Sequence, residues 1–284
     1  MPEGHTLHRL ATALGEAFGG DVVRVGSPQG RFADGAARVD GVRLVGAEAW
    51  GKHLFVEFAN ELFVHVHLGL IGKLDVVRLG PGEAVPLPVG EVRLRVQSGS
   101  AYADLRGAII CDLVTAEERD AVVARSGPDP LRADADPERA WARISRSSKP
   151  IGTLLMDQSV LAGIGNVYRA EVLFRHRIHP LRPGRTLRSG QWHAMWTDLV
   201  DLMTEGVRTG RIDTVRPEHE PEAMGRPPRA DDHGGEVYVY RRNGQPCHVC
   251  GSKVRTEVLA GRNSFWCPRC QPVFRSRAGR GGPA

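Results

Sequence analysis

Four of the five cysteines stand in two C-x2-C pairs, Cys247 and Cys250 in "CHVC" and Cys267 and Cys270 in "CPRC", with sixteen residues between the pairs. Two thiolate pairs on two tight turns can close a tetrahedral zinc site of the ribbon type. Two disulfides are the alternative, which a cytoplasmic location disfavours. A four-thiolate site leaves no coordination position open, so its single zinc ion holds structure and does no chemistry. What it holds is the hairpin between the pairs. There "KVRTEVL" runs out, "AGRN" turns and "SFW" returns, displaying Arg262 at a rigid tip. Taken alone, an exposed turn arginine is the simpler reading of that residue.

The opposite end of the chain offers a nucleophile. It begins "MPEGHTLHRL", and removal of Met1 would leave the Pro2 nitrogen as a free secondary amine. An α-amine titrates near ~7.7–8.0, against ~10.4 for lysine, so a useful fraction is neutral at cellular pH without burial. Glu3 beside it is placed to supply or relay a proton. Lys52, in "WGKHLFVEF", follows a turn glycine and precedes a strand; a surface lysine is the plain alternative. "LAGIGNVYRAEVLF" puts Gly163, Gly165 and Asn166 where a turn meets a helix N-terminus. Free N–H groups and the helix dipole there suit a phosphate, and an Asn cap with turn glycines is the bland reading. His65 and His67 share one strand face, which could take a metal, although exposed or core histidines are commoner. Cys111, alone in "GAIICDLV", reads as a small buried hydrophobe.

These residues need elements to hold them. The 284 residues, 41% hydrophobic and 25% charged, suit roughly two globular domains. No apolar run approaches the ~18 residues of a membrane span and no secretory signal is visible, so the expected location is the cytoplasm, on the nucleoid. Net charge is +5, but residues 241–284 hold nine Lys or Arg and one acid, which suggests contact with phosphate. Thirty-four arginines against four lysines also fit a GC-rich genome, so arginine abundance says little. Leu7, Leu10, Ala11, Leu14 and Phe18 recur at helical spacing, so Pro2 and Glu3 precede an amphipathic helix. "HLFVEF" and "ELFVHVHL" form a hairpin at Ala59-Asn60, and "EVRLRVQ" and "SAYADL" another at Ser98-Gly99. Helices follow over "KPIGTLLMDQ", "NVYRAEVLFRH" and "SGQWHAMWTDLVDLMTEGV", then a loop over 211–236, and strands return at "EVYVYRR" before an Asn-Gly turn. The expected organisation is a β-sandwich domain over 1–118, a linker over 119–134, a helical domain with its C-terminal loop over 135–236, a zinc finger over 237–272 and a disordered tail over 273–284.

In combination, "MPEG", "GKHLFVEF", "HLGLIGKL", "LLMDQSVLAGIGNVYRAEVLF" and "CHVCGS…GRNSFWCPRC" resemble the formamidopyrimidine-DNA glycosylase and endonuclease VIII family over residues 1 to about 272. The resemblance implies an α+β multidomain protein: an N-terminal β-sandwich with a leading helix, a helix-two-turn-helix domain and a C-terminal zinc-ribbon β-hairpin, flanking a DNA cleft. It implies a bifunctional DNA glycosylase and AP lyase acting on damaged DNA as a monomer, with zinc and no organic cofactor. Carried over by motif, Pro2 would be the Schiff-base nucleophile, Glu3 the general acid, and Lys52 a phosphate ligand that assists elimination. Asn166 and Arg262 would grip phosphates around a flipped lesion, with Arg262 sharing in δ-elimination. His67 would join the DNA contacts, Leu70 would wedge into the stack and Arg106 would reach the orphan base. Four departures lean toward the endonuclease VIII branch and oxidised pyrimidines. Thr6 replaces the second Glu of "PELPE", Gly152 the Lys of "IKPxLxD", "DLRGA" the longer "DPRRFG", and Leu70 a Met wedge. The rivals are a non-catalytic zinc-ribbon DNA-binding protein and an N-terminal-proline tautomerase.

Overall fold

The alternating stretches of the N-terminal half pair into two antiparallel sheets. The computed structural model describes residues 2–230 and 235–275. Helix α1 (Gly4–Phe18) leads, and Leu7, Ala11, Leu14 and Phe18 are its buried stripe. Strands β1 (Arg24–Gly26), β2 (Leu44–Trp50), β3 (His53–Phe58), β4 (Leu62–His67), β5 (Lys73–Arg78), β6 (Val92–Gln97), β7 (Ala101–Arg106) and β8 (Ile110–Thr115) follow, with the short helix α2 (Ala33–Val39) after β1. One sheet runs β1-β6-β7-β5 and the other β2-β3-β4-β8. Both expected hairpins are present, β3–β4 and β6–β7. Cys111 is buried between the sheets on β8.

A second core belongs to the C-terminal half. Helices α3 (Ala116–Arg125), α4 (Pro137–Ile144), α5 (Ile151–Leu154), α6 (Asn166–Arg175) and α7 (Ser189–Thr209) precede a single hairpin, β9 (Arg255–Leu259) and β10 (Arg262–Trp266). Helix α6 is buried along nearly its whole length, and Trp192, Met195, Leu199 and Met203 of α7 pack in the same core as Cys247, Cys267 and Cys270. The zinc hairpin is thus built onto the helical lobe.

Three expectations differ from the structure. Residues 119–125, expected in a linker, belong to α3, which opens with a Thr115–Glu118 capping box. Residues 126–130 are all buried, so the join between lobes is no solvated tether. The third difference is at "EVYVYRR", where among the described residues no strand forms. Val237, Tyr238, Val239 and Tyr240 are buried, but the N–H groups of Tyr238, Val239 and Tyr240 donate to the Glu171 carboxylate at 2.7–2.9 Å. A carboxylate has replaced the neighbouring strand. Within the expected loop, Pro217–His219 and Pro221–Met224 form single helical turns. The tail expected at 273–284 falls outside the described residues from 276 onward.

Candidate active site and zinc centre

The lobes meet on glycines. The N–H of Gly4 donates to the carbonyl of Gly163 at 2.8 Å. A Cβ on Gly4 would lie 2.8 Å from the Gly163 Cα, and one on Gly51 2.9 Å from the Ala162 Cβ. Gly163 has φ +86° and Gly51 φ +60°, a region that suits glycine. A Cβ on Gly165 would collide with the Glu3 carboxyl at 2.4 Å. Backbone approach at this seam brings the extreme N-terminus of the chain against the start of α6.

Glu3 is wholly buried and its carboxylate caps α6. The N–H groups of Gly165 and Tyr168 donate to Oε2 at 2.9 and 3.4 Å, and that of Val167 to Oε1 at 2.8 Å. The cap residue Gly165 has no side chain to do this. The sequence left these N–H groups to a phosphate or to an Asn cap with turn glycines; in the folded protein the Glu3 carboxyl takes them. Burial raises the Glu3 carboxyl above its ordinary range, against the opposing pull of Lys52 and the backbone donors. Burial likewise lowers Lys52, which Glu3 counteracts and Arg262 reinforces. The pair is poised nearer its neutral forms than either group would be in water.

In front of this pair opens a cleft of about 450 Å³, lined by Pro2, Lys52, His67, Leu70 and Ile109 from one lobe and Met156, Gln158, Arg169, Leu259 and Arg262 from the other. Lys52 arrives from the β2–β3 turn. Arg262 opens β10 directly after the turn residues Ala260 and Gly261, both at positive φ (49° and 74°), the pattern of a two-residue hairpin turn. The tip is therefore narrower than "AGRN". His67 accepts from the Gly69 N–H on Nδ1 at 3.0 Å, so when neutral it carries its proton on Nε2. Leu70 and Ile109 are 59% and 64% exposed, and Ile71 beside them 85%, an aliphatic edge on the cleft mouth.

Two expected residues lie differently. Arg106 is committed to the sheet: it donates to the Val89 carbonyl at 3.0 Å and to Asp104 and Asp75 at 2.8 and 3.3 Å. It lies outside the cleft lining, and those three bonds hold it against the sheet. Asn166 is 7% exposed and its Nδ2 donates to the Asn263 carbonyl at 3.0 Å, tying α6 to the hairpin. Sequence reasoning missed its partner Arg169, 1% exposed. Arg169 donates to the Asn166 side chain and, at 3.0 Å, to the Asn263 carbonyl. The available signal was the i, i+3 spacing that puts both on one helix face. His65, a candidate metal ligand, stacks on Phe55 at 4.7 Å and bonds His53 at 2.9 Å. That is a neutral core pair: burial lowers His53 to about 3 and His65 to about 4.

The cysteines do gather. Among the described residues, Cys247, Cys250, Cys267 and Cys270 are the group of potential metal ligands whose donor atoms all lie within 4.8 Å of one another. Sγ separations are 3.9 Å for Cys247–Cys270 and 3.4 Å for Cys250–Cys267. A zinc tetrahedron with ~2.3 Å bonds has edges of about 3.8 Å, so four thiolates at these separations fit one zinc ion.

The sequence matches the Formamidopyrimidine-DNA glycosylase N-terminal domain over residues 1–109, the Formamidopyrimidine-DNA glycosylase H2TH domain over 126–217 and the zinc finger found in FPG and IleRS over 244–273. It is 52% identical to Endonuclease 8 1 of Mycobacterium tuberculosis (strain H37Rv), across 95% of this chain and 100% of that protein. The chain belongs to the formamidopyrimidine-DNA glycosylase and endonuclease VIII family. A Formamidopyrimidine-DNA glycosylase from Thermomicrobium roseum is 31% identical, across 96% of this chain and 99% of that one. Among solved structures, a Lactococcus lactis FPG variant in complex with Fapy-dG-containing DNA aligns with a TM-score of 0.76 at 21% identity, covering 96% and 100% of the two chains. The same protein with abasic-site DNA aligns at 0.74 and 20%, covering 95% and 100%. These two likenesses establish the fold. Within the family, the departures at the cleft have local causes here. Gly152 is buried, and a Cβ there would lie 3.0 Å from Leu259, so the zinc hairpin settles directly on α5. Ile109, directly after "DLRGA", lines the cleft, and Arg106 closes β7.

Proposed function

We infer that this chain is a bifunctional DNA glycosylase and AP lyase of base excision repair, with Pro2 as its nucleophile. One observation carries the assignment of roles: Pro2, Lys52 and Arg262 come from three remote segments and line one cleft, with Glu3 buried directly behind. A tautomerase has no need of Arg262 on a zinc hairpin, and a pure DNA-binding protein has no need of Pro2 and Glu3.

The chemistry follows from these groups. The neutral Pro2 amine attacks C1′ of a flipped nucleotide, the C1′–N bond breaks, and the base leaves with the bonding electrons and a proton. Glu3, held toward its protonated form by burial, protonates the sugar ring oxygen or relays protons. The resulting iminium acidifies the C2′ proton. Its removal expels the 3′-phosphate by β-elimination, and a second loss expels the 5′-phosphate by δ-elimination. Lys52, lowered toward its neutral form by burial, receives and returns protons in these steps. Arg262 holds phosphate. Flipping costs least for a base already damaged, and the substrates are oxidised pyrimidines, a choice supported by Thr6, Gly152, the short "DLRGA" and Leu70. The protein acts as a monomer in the cytoplasm, on nucleoid DNA, without an organic cofactor; the four cysteines hold one structural zinc.

Borohydride reduction of the enzyme mixed with abasic DNA tests the reading. Covalent trapping with the adduct on Pro2 by mass spectrometry is the expected result. Retaining Met1 or adding an N-terminal tag should abolish trapping, because Pro2 then lies in an amide. An adduct on Lys52 with Pro2 unmodified would overturn the assignment.

A further inference from the structure

We propose that Asp129 is a positioning residue for Lys52; the proposal rests on the reading of Lys52 given above. Asp129 lies in the segment joining the lobes and is 0% exposed. Its Oδ2 accepts from the N–H of Gly51, the residue before Lys52, at 2.7 Å. The same oxygen bonds Nε2 of His8 on α1 at 2.7 Å. Its Oδ1 accepts from the Leu131 N–H at 3.0 Å.

One carboxylate therefore joins three things that must stay in register: the turn that aims Lys52, the helix preceded by Pro2 and Glu3, and the strap between lobes. The strap itself cannot yield. Gly127 donates to the Gln158 carbonyl at 2.9 Å and Ala162 to the Pro128 carbonyl at 3.0 Å, while Trp50 Nε1 donates to the Gly127 carbonyl at 3.2 Å. A Cβ on Gly127 would lie 2.5 Å from the Val160 backbone. The Lys52 turn is thus pinned from both sides, with Gly51 against Ala162 on one and Asp129 on the other. An ionised carboxylate can accept from all three donors; an amide, with one oxygen and an NH2 in place of the other, cannot. The arrangement accounts for an acid at a site where no reacting group approaches it.

The test is a double-mutant cycle between Asp129→Asn and Lys52→Ala, read by single-turnover base excision and by strand cleavage at a preformed abasic site, with melting temperature and zinc content measured in parallel. Misplacing Lys52 should slow Asp129→Asn by ~10–100-fold with zinc retained. The same substitution in the Lys52→Ala background should cost nothing further. Asp129→Glu keeps an all-acceptor head group at a displaced position; it should show the same coupling and serves if Asp129→Asn does not fold. Losses that add in the cycle overturn the proposal and leave Asp129 as a purely structural anchor. Lys52→Ala working at the wild-type rate overturns the reading of Lys52 instead, and the proposal with it.

Discussion

Glu3 caps the N-terminus of α6, and Glu171 stands within that helix. Both are 0% exposed, and both turn their oxygens to backbone N–H groups of a segment far away in sequence. Glu3 receives Gly165, Val167 and Tyr168. Glu171 receives Tyr238, Val239 and Tyr240, and the Thr214 hydroxyl at 2.7 Å. Their surroundings separate them. Beside Glu171 stand Tyr238, stacked on Phe174 at 4.5 Å, and the buried side chains of Val239 and Tyr240. Beside Glu3 stand Lys52 and the cleft. Burial with backbone donors therefore describes an anchor. A candidate acid needs in addition an open edge and a second titrating group that moves against it.

The sharpest test is to remove a charge from each. Glu3→Gln should lower base excision by ~10²–10⁴-fold in single-turnover assays, and cleavage at a preformed abasic site by much less, since no glycosidic bond is left there. An equal loss on both substrates would make Glu3 an anchor like Glu171. Glu171→Gln should instead act on stability, by about 1–3 kcal/mol for each N–H left unpaired, read by denaturant unfolding. Withdrawing zinc with a chelator, or Cys267→Ser, should resemble Glu171→Gln, because segment 238–240 leads straight into the Cys247 turn. DNA binding should weaken while the Glu3 cap on α6 persists.

Acid should tell the two sides apart more gently. Burial lowers His5 to about 4, His53 to about 3 and His65 to about 4, and all three belong to the Glu3 side. Between those values and the ordinary ~6.5, the unfolded chain binds more protons than the folded one. Stability therefore rises with pH across this window and is lost as pH falls through it. The melting temperature should drop on acidification from pH 7 toward 4.5, with each histidine adding at most ~1.4 kcal/mol per pH unit. His53→Gln should flatten that slope and Glu171→Gln should leave it. The smallest effect belongs to Arg106→Ala, which should leave excision unchanged against every opposite base, because Arg106 is held by Asp75, Asp104 and Val89. A change in opposite-base preference would return it to the cleft.

What could be read beforehand follows from the range of the interactions involved. The sandwich hairpins, the α1 stripe and the zinc ligands show up as local periodicity or spacing, and all appear in the fold. The capping box at Thr115 and Glu118 was equally local, and marks α3 in the sequence. Glu171 and Asp129 could not be read this way. Their partners lie 43 to 121 positions away, the Leu131 N–H on Asp129 being the local exception. The same blindness applies to "EVYVYRR", whose alternation is real but whose N–H groups answer to a carboxylate. For Arg106, resemblance to a motif fixes a position along a strand and says nothing about the salt bridges with Asp75 and Asp104 that the fold gives it.

The glycine contacts between the lobes carry a mechanical consequence. Gly4 and Gly51 let one lobe come against the Gly163 backbone of the other, and Gly165 leaves room for the Glu3 carboxyl, so the seam between the lobes lies at the candidate site itself. A side chain added at Gly4 or Gly51 would therefore force the lobes apart at the very point where Pro2, Glu3 and Lys52 are assembled, so the spacing of these groups is set by the absence of two Cβ atoms.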